Sequence, residues 1–490
     1  MVISKTKYLN GLQCHKLLWY AYNDKKAIPE PDEATQAIFD QGHEVGKLAQ
    51  SLYPGGIEIT GDLKQFKEVQ EKSRAALSLR RPLFEAAFTF NNAYARADIL
   101  VPAGRDEWDI VEVKSSTEVK EINLHDLSLQ RYAYEGAGLK IRNCFLMHID
   151  NSYVRQGAID PKKLLVAEDV TEDVELLLPG VERNLAAMAR IIGARTHPGT
   201  PIGPHCSDPY DCPLRGLCWD SLPDDNVFSL TRIGAKAWDL YARGIEALED
   251  IPDDFPLSSA QKIQMEAFES GKPVLKRPAI ATFLENLEYP LYYLDFETFS
   301  TAIPLYDGVR PYQNVPFQYS LHIVAAPGGE PEHHSFLAEG DGDPRPGILA
   351  GLKELLGKKG SIVAYNASFE KGRLREACAA YPAYASWWEK TEPRVADLIV
   401  PFRSFQYYHP SQNGSASMKA VLPAITGKGY EGMPIADGGT ASREYLRVTY
   451  GSATAEERER VRSALLDYCG LDTMGMVQIV NALRKIVGSR

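Results

Sequence analysis

At 490 residues the chain is longer than one hydrophobic core usually supports, so two or three domains are expected. Its apolar fraction of 44% and charged fraction of 24% are ordinary for a globular protein, and no apolar run approaches the ~18 residues of a membrane span. The net charge of −11 argues against a passive coat for nucleic acid, which would be basic, but not against an enzyme whose carboxylates hold cations.

Residues 1–50 read as helical. The stretch MVISKTKYLNGLQC lacks the apolar core of a signal peptide, and seven cysteines form an odd set better suited to a reducing compartment than to a disulfide framework. A cytoplasmic protein is therefore expected. Three strands follow within 83–115, written FEAAFTF, AYARADILV and EWDIVEVKSS. Asp98 sits near the end of the second, and Glu112 and Lys114 share a face of the third, with Val113 turned the other way. A helix over about 123–138 carries Gln130 and Tyr134 four apart on one face. Residues 142–150 read as a strand and 169–194 as a helix.

A loop at 205–219, HCSDPYDCPLRGLCW, places Cys206, Cys212 and Cys218 at equal spacings, with Cys14 far upstream in LQCHKLLWY. The intervening Pro209, Pro213 and Gly216 suggest a loop wrapped around something. Cys144 and Cys378 read as buried small hydrophobes, and Cys469 carries no assigned role. Residues 222–285, rich in Pro and Asp, read as a helical connector; within it LTRIGAKAWDLYARGIEALEDIP faintly resembles a helix–hairpin–helix, with a packed helical linker as the alternative.

Beyond 286, strands followed by helices predict a second α/β domain. Asp295 and Glu297 stand two apart in the apolar strand YPLYYLDFETF and so share a face. The segment IVAYNASFEKGRL at 362–374 runs from strand to helix, with Ser368 expected as N-cap and Glu370 in the first turn. An amphipathic helix over 455–487 sets Tyr468 and Asp472 on one face. Like charges ~4 Å apart at an effective dielectric of ~20 cost on the order of 4 kcal/mol, and divalent cations are the usual remedy.

The C-terminal motifs, in this order, resemble the DEDD exonucleases of the ribonuclease H-like superfamily, over roughly 286–490. The resemblance implies a two-cation centre of Asp295, Glu297, Glu370 and Asp472, with Tyr468 orienting the attacking water. Glu370 departs from the aspartate usual in the second motif, and Asp397 is read as a strand-end aspartate. The N-terminal motifs, over roughly 1–220, resemble the RecB-like branch of the PD-(D/E)XK nucleases. This implies metal ligation by Asp98 and Glu112, a catalytic Lys114, and Gln130 and Tyr134 gripping the DNA backbone or orienting Lys114. That branch often adds a histidine after a glycine. His43, directly following Gly42, is either that ligand or an ordinary surface histidine, and Glu85 is favoured as structural.

One N-terminal cysteine plus three beyond the nuclease core resembles the iron–sulfur nucleases of the AddB and CRISPR-adaptation types. By that resemblance Cys14, Cys206, Cys212 and Cys218 hold a 4Fe–4S cluster, with four-cysteine zinc as the rival. Closing a loop of about 190 residues would strongly restrain the unfolded chain.

The whole resembles a bacterial family joining the two nucleases, much of it uncharacterised. The expected architecture is α/β throughout: a restriction-endonuclease-like domain over 1–221, the connector over 222–285 and a ribonuclease H-like domain over 286–490. The expected function is a Mg²⁺- or Mn²⁺-dependent DNA nuclease with two hydrolytic centres, acting on single strands or free ends in repair, recombination or defence, without a membrane partner. The alternatives are a nucleic-acid-binding scaffold with one decayed centre and an RNA-directed exonuclease.

Overall fold

The computed structural model describes residues 2–61 and 65–488. The chain is α/β and divides into two compact units, residues 1–221 with 301–313, and residues 222–300 with 314–490. Residues 222–285 group with the second unit. Among the described residues no helix is long and apolar enough to cross a membrane.

The first unit is built on a seven-stranded sheet. Its strands are β1 (Ile3–Ser4), β2 (Ile57–Glu58), β3 (Leu83–Phe90), β4 (Ala93–Ala103), β5 (Glu107–Val113), β6 (Lys140–Ile149) and β7 (Leu165–Asp169). The order runs β2-β3-β4-β5-β6-β7, with β1 paired parallel to β4. β3, β4 and β5 are antiparallel neighbours, and β6 returns parallel to β5. The helices are α1 (Lys5–Gln13), α2 (His15–Asn23), α3 (Glu33–Gln50), α4 (Phe66–Leu77), α5 (Glu121–Gly136) and α6 (Thr171–Ile192).

Alternation along the strands divides the core between two faces. Leu100 and Ile110 pack with Leu127 and Ala133 of α5 and with Leu185 and Met188 of α6. Their neighbours Ile99 and Val111 pack on the other side with Val45 and Ala49 of α3 and with Ala302. Both faces being covered, the strands read as nearly continuous apolar runs. Gly11 lets α1 approach α6 closely, since a Cβ there would lie 2.6 Å from Met188 Cε.

The second unit begins with α7 (Ala235–Ala242), α8 (Ser259–Ser270) and α9 (Arg277–Glu285). Between residues 230 and 252 the only α-helix is α7, set between 3₁₀ turns at Val227–Ser229 and Leu248–Asp250. No helix pair forms there, so the helix–hairpin–helix expectation fails: Gly234 and Gly244, both at positive φ, confine the helix to eight residues.

A five-stranded sheet carries the rest: β8 (Leu291–Phe299), β9 (Val315–Val324), β10 (Glu332–Leu337), β11 (Ile362–Ala364) and β12 (Val395–Asp397). Its order is β10-β9-β8-β11-β12, antiparallel across the first three strands and parallel from β8 to β12. Helices α10 (Arg345–Leu355), α11 (Ser368–Ala380), α12 (Met418–Thr426), α13 (Gly438–Tyr450) and α14 (Ala455–Gly488) complete the unit. Leu294 and Phe296 pack on Ile348, Leu349 and Leu352 of α10. Their β8 neighbours Asp295 and Glu297 therefore point to the opposite face.

Candidate metal centres

On that opposite face lies α14, fixed by a buried polar ladder. Gln318, Ser320 and His322 on β9 stand across from Glu297, Asp295 and Tyr293. Gln318 Nε2 donates to the Leu465 carbonyl at 2.8 Å, and Ser320 Oγ and His322 Nδ1 lie 2.6 and 2.7 Å from Thr473 Oγ1. Such bonds fix one register of helix on sheet, which simple apolar packing would leave freer. The register chosen brings Tyr468 and Asp472 to the acidic strand.

Asp295, Glu297, Glu370, Tyr468 and Asp472 together line one cavity of about 550 Å³. Four sequence-predicted carboxylates thus converge from β8, α11 and α14. Ser368 is the first residue of α11, not its N-cap; Ala367 takes that position and makes no side-chain cap. The turn before it is fixed instead by Asn366, at a φ of +69°, whose amide donates to Asp397 Oδ1 at 3.0 Å. Ile399 N donates to the same oxygen, so Asp397 serves the backbone and is absent from the cavity lining.

The electrostatics are those of a site short of counter-charge, with the Lys419 ammonium the one cation lowering Glu297 and Asp472. Burial pushes Glu297 and Glu370 up to about 8, with the charges of Asp472 and Asp397 respectively adding to the shift. Burial pushes Asp472 up to about 6, and Asp295 goes well above its ordinary value through burial and the charges of Asp472, Glu297 and Glu370. Glu370 Oε2 is buried without a hydrogen-bond partner. Asp295, Glu297 and Cys469 are the one group of three His, Cys, Asp or Glu, among the described residues, whose ligand atoms all lie within 4.8 Å. Crowded carboxylate oxygens, with Glu370 Oε2 left unpartnered, fit a hard divalent cation.

Three features were not anticipated from the sequence. Tyr430 donates its hydroxyl to Asp472 Oδ1, so that carboxylate is gripped by Tyr430 as well as Tyr468. Lys419 lines the cavity, its ammonium 6.0 Å from the Tyr468 ring centroid. A Cβ on Gly438, at the start of α13, would lie 3.4 Å from Glu297 Oε2, so that turn closes tightly over the acidic strand. Tyr430 sits in an irregular stretch without periodicity, and only the Gly438-Gly439 pair hinted at close backbone approach.

In the first unit the register that pairs Ile99 with Val111 sets Asp98 beside Glu112, and Glu85 flanks Asp98 on β3. Glu112 is wholly buried and heavily partnered. Its Oε1 accepts from Lys5 Nζ at 2.6 Å and Lys114 Nζ at 2.7 Å, and its Oε2 accepts from Gln130 Nε2 at 2.8 Å. Asp126 accepts from Lys114 and Gln130, both at 3.0 Å. Burial would raise Glu112, yet the ammoniums of Lys114 and Lys5 outweigh it and hold the group below the usual carboxylate range. Asp98 accepts from Val113 N at 2.7 Å and feels the charges of Lys5 and Lys114, yet burial and the Glu112 charge outweigh them and push it up to about 7. Lys114 is held above its ordinary value by Asp126 and Glu112 despite burial.

One expected role changes here and another narrows. The Tyr134 hydroxyl accepts from Ala97 N at 2.9 Å and donates to the Ala86 carbonyl. Fully buried, it pins β3 to β4 and reaches neither DNA nor Lys114. Gln130 is equally buried and donates to Glu112 and Asp126, the two carboxylates that hold Lys114, so of its two expected roles the geometry leaves the orienting of Lys114 and not a grip on a DNA backbone. Glu85 pairs with Arg96 at 2.9 Å, and its φ of +60° takes it out of the ladder. His43 is exposed and lines the same cleft of about 1390 Å³ as Asp98, Glu112 and Lys114, without joining a tight ligand cluster. Lys5 and Asp126 are the residues sequence reading passed over. Asp126 was within reach of it, since 126, 130 and 134 repeat at helical spacing on α5.

Cys14, Cys206, Cys212 and Cys218 line a small common cavity, all as free thiols. Burial pushes Cys212 up to about 11, with the other three thiols adding to it. Gln13 Nε2 donates to the carbonyls of His205 and Tyr210 at 2.9 and 2.6 Å, fastening the loop to α1. Cys144 and Cys378 are buried in apolar clusters.

Residues 292–417 match the model of a family described as a domain of unknown function, DUF2779. The match takes in Asp295, Glu297 and Glu370 and ends before Tyr430, Tyr468 and Asp472. No curated protein matches the chain.

Proposed function

We propose that the protein is a metal-dependent phosphodiesterase acting on nucleic acid, with a DEDD-type centre in the second unit and a PD-(D/E)XK-type centre in the first. The observation that carries this reading is the convergence of Asp295, Glu297, Glu370 and Asp472 on one cavity with an unpartnered Glu370 oxygen. Bound there, a pair of Mg²⁺ or Mn²⁺ ions would supply an activated water and charge stabilisation at the departing oxygen. Tyr468 would orient that water, Tyr430 would fix Asp472, and Lys419 stands where a phosphate approaches. The sheet order, with three antiparallel strands and two parallel ones added beyond β8, supports a ribonuclease H-like core. Trimming from the 3′ end is the polarity the resemblance implies.

The α1, β3-β4-β5, α5, β6 succession likewise supports a restriction-endonuclease-like first unit. Ile38, Phe39 and Tyr210 are exposed large apolar side chains on the rim of its cleft, a surface suited to unpaired bases. DNA with free or single-stranded ends is the proposed partner. For the cysteines, a lone zinc ion would hold sulfurs about 3.8 Å apart, given Zn–S bonds of ~2.3 Å. A 4Fe–4S cluster on the four thiolates is the proposed occupant, with this zinc site as the rival.

A second reading, a binding scaffold with a decayed N-terminal centre, is favoured by one observation: both Glu112 oxygens are already occupied by Lys5, Lys114 and Gln130. End-labelled single-stranded DNA, duplex DNA and RNA, each with Mg²⁺ or Mn²⁺, separate the readings. Wild-type protein is expected to shorten single-stranded DNA, with a residual activity in Asp295→Asn that Lys114→Ala removes. Binding without product under every metal would support the scaffold.

A further inference from the structure

The N-terminal centre holds two ammoniums where its family resemblance supplies one. Lys5 opens α1 directly after β1, and the parallel pairing of Ile3 with Ala93 delivers it to the middle of the sheet. There its Nζ lies 2.6 Å from Glu112 Oε1 and 3.6 Å from Asp126 Oδ2. Lys114 reaches the same two carboxylates at 2.7 and 3.0 Å. Two ammoniums sharing one carboxylate oxygen repel each other, and each can be released without leaving Glu112 unpaired. Lys114 is tied by its own strand. Lys5 and Lys114 both line the open cleft, and Lys5 is the one carried by a helix start instead of the end of β5.

We propose that Lys5 is a second functional cation of this centre. It occupies the place at Glu112 that a divalent ion takes, keeps the buried carboxylate neutralised while no ion is present, and moves onto the substrate phosphate when the ion arrives. The inference rests on the nuclease reading of the first unit for its last step alone. Exchange of an ammonium for a dication at a buried carboxylate needs only the geometry described.

The charge exchange gives opposite signs to two measurements. Lys5→Met keeps the stem and removes the charge. Mn²⁺ titrated into the full chain by calorimetry, at the site that Glu112→Gln removes, should bind Lys5→Met about tenfold more tightly than wild type, because a competing cation is gone. Cleavage attributable to Lys114 should fall by roughly tenfold or more, with most of it restored by Lys5→Arg. A purely structural lysine would weaken both together. Independently of any variant, amine labelling read by mass spectrometry should show Lys5 of the wild-type chain become more reactive with Mn²⁺ and protected again by an added oligonucleotide. Unchanged or weaker Mn²⁺ binding in Lys5→Met, or Lys5 labelling insensitive to Mn²⁺, overturns the proposal. Tighter Mn²⁺ binding without any cleavage by wild type would uphold the exchange and fail the nuclease reading instead.

Discussion

Asp295→Asn is expected to abolish metal-dependent trimming by at least ~10³-fold while making the ion-free protein more stable. Asp295 lies at the centre of the acidic group, and the charges of Asp472, Glu297 and Glu370 all bear on it. Without cations that crowding is pure cost. Removing one charge should raise stability by about 1–3 kcal/mol in chelator, measured by chemical denaturation.

The same repulsion sets a pH dependence. Glu297 and Glu370 titrate near 8 in the folded chain against an ordinary 4.5. Across that window the folded state holds protons the unfolded state has released, so stability falls as pH rises. Asp98, pushed up to about 7, adds to the slope, whereas Glu112, held low by its lysines, contributes stability that is lost only in acid. Saturating Mn²⁺ should flatten the slope by holding the carboxylates ionised. An Asp295→Asn protein that is less stable than wild type in chelator would mean the carboxylate is structurally needed and the metal assignment is wrong.

The cysteine centre carries the second large effect. Replacing any one of Cys14, Cys206, Cys212 or Cys218 by serine is expected to strip iron from anaerobically purified protein and lower the melting temperature by on the order of 10 °C. The reason is topological: Cys14 precedes every strand of the first unit's sheet except β1, and the other three follow them, so the centre closes most of the unit. Cys144→Ser and Cys378→Ser, at buried positions in the apolar clusters, should leave iron content unchanged. Iron and zinc are quantified by elemental analysis alongside visible absorption. Colourless wild-type protein with one equivalent of zinc would replace the cluster by a zinc site.

Much of this was legible in the chain because the relevant residues sit on regular elements. Asp295 and Glu297 share a strand face, Tyr468 and Asp472 a helix face, and the three-strand pattern at 83–115 emerges as β3, β4 and β5. Periodicity transmits such positions directly. Residues whose place depends on tertiary closure were not legible. Lys5 reaches Glu112 because a two-residue strand pairs with β4, and Tyr430 reaches Asp472 from an irregular stretch. Tyr134 shows the converse: its spacing on α5 was read correctly, but its direction was not. The hydroxyl turns inward to two backbone groups that no sequence pattern reveals. Ser368 failed for a similar reason, since an αL asparagine and Asp397 shape the turn that a capping serine would otherwise have made.

Crystals grown with Mn²⁺ and measured at its absorption edge test the two-ion assignment most directly. Anomalous peaks lying among Asp295, Glu297, Glu370 and Asp472 are expected, and they should vanish in Asp295→Asn. A cavity without anomalous signal at saturating Mn²⁺, its carboxylates unmoved, would contradict it.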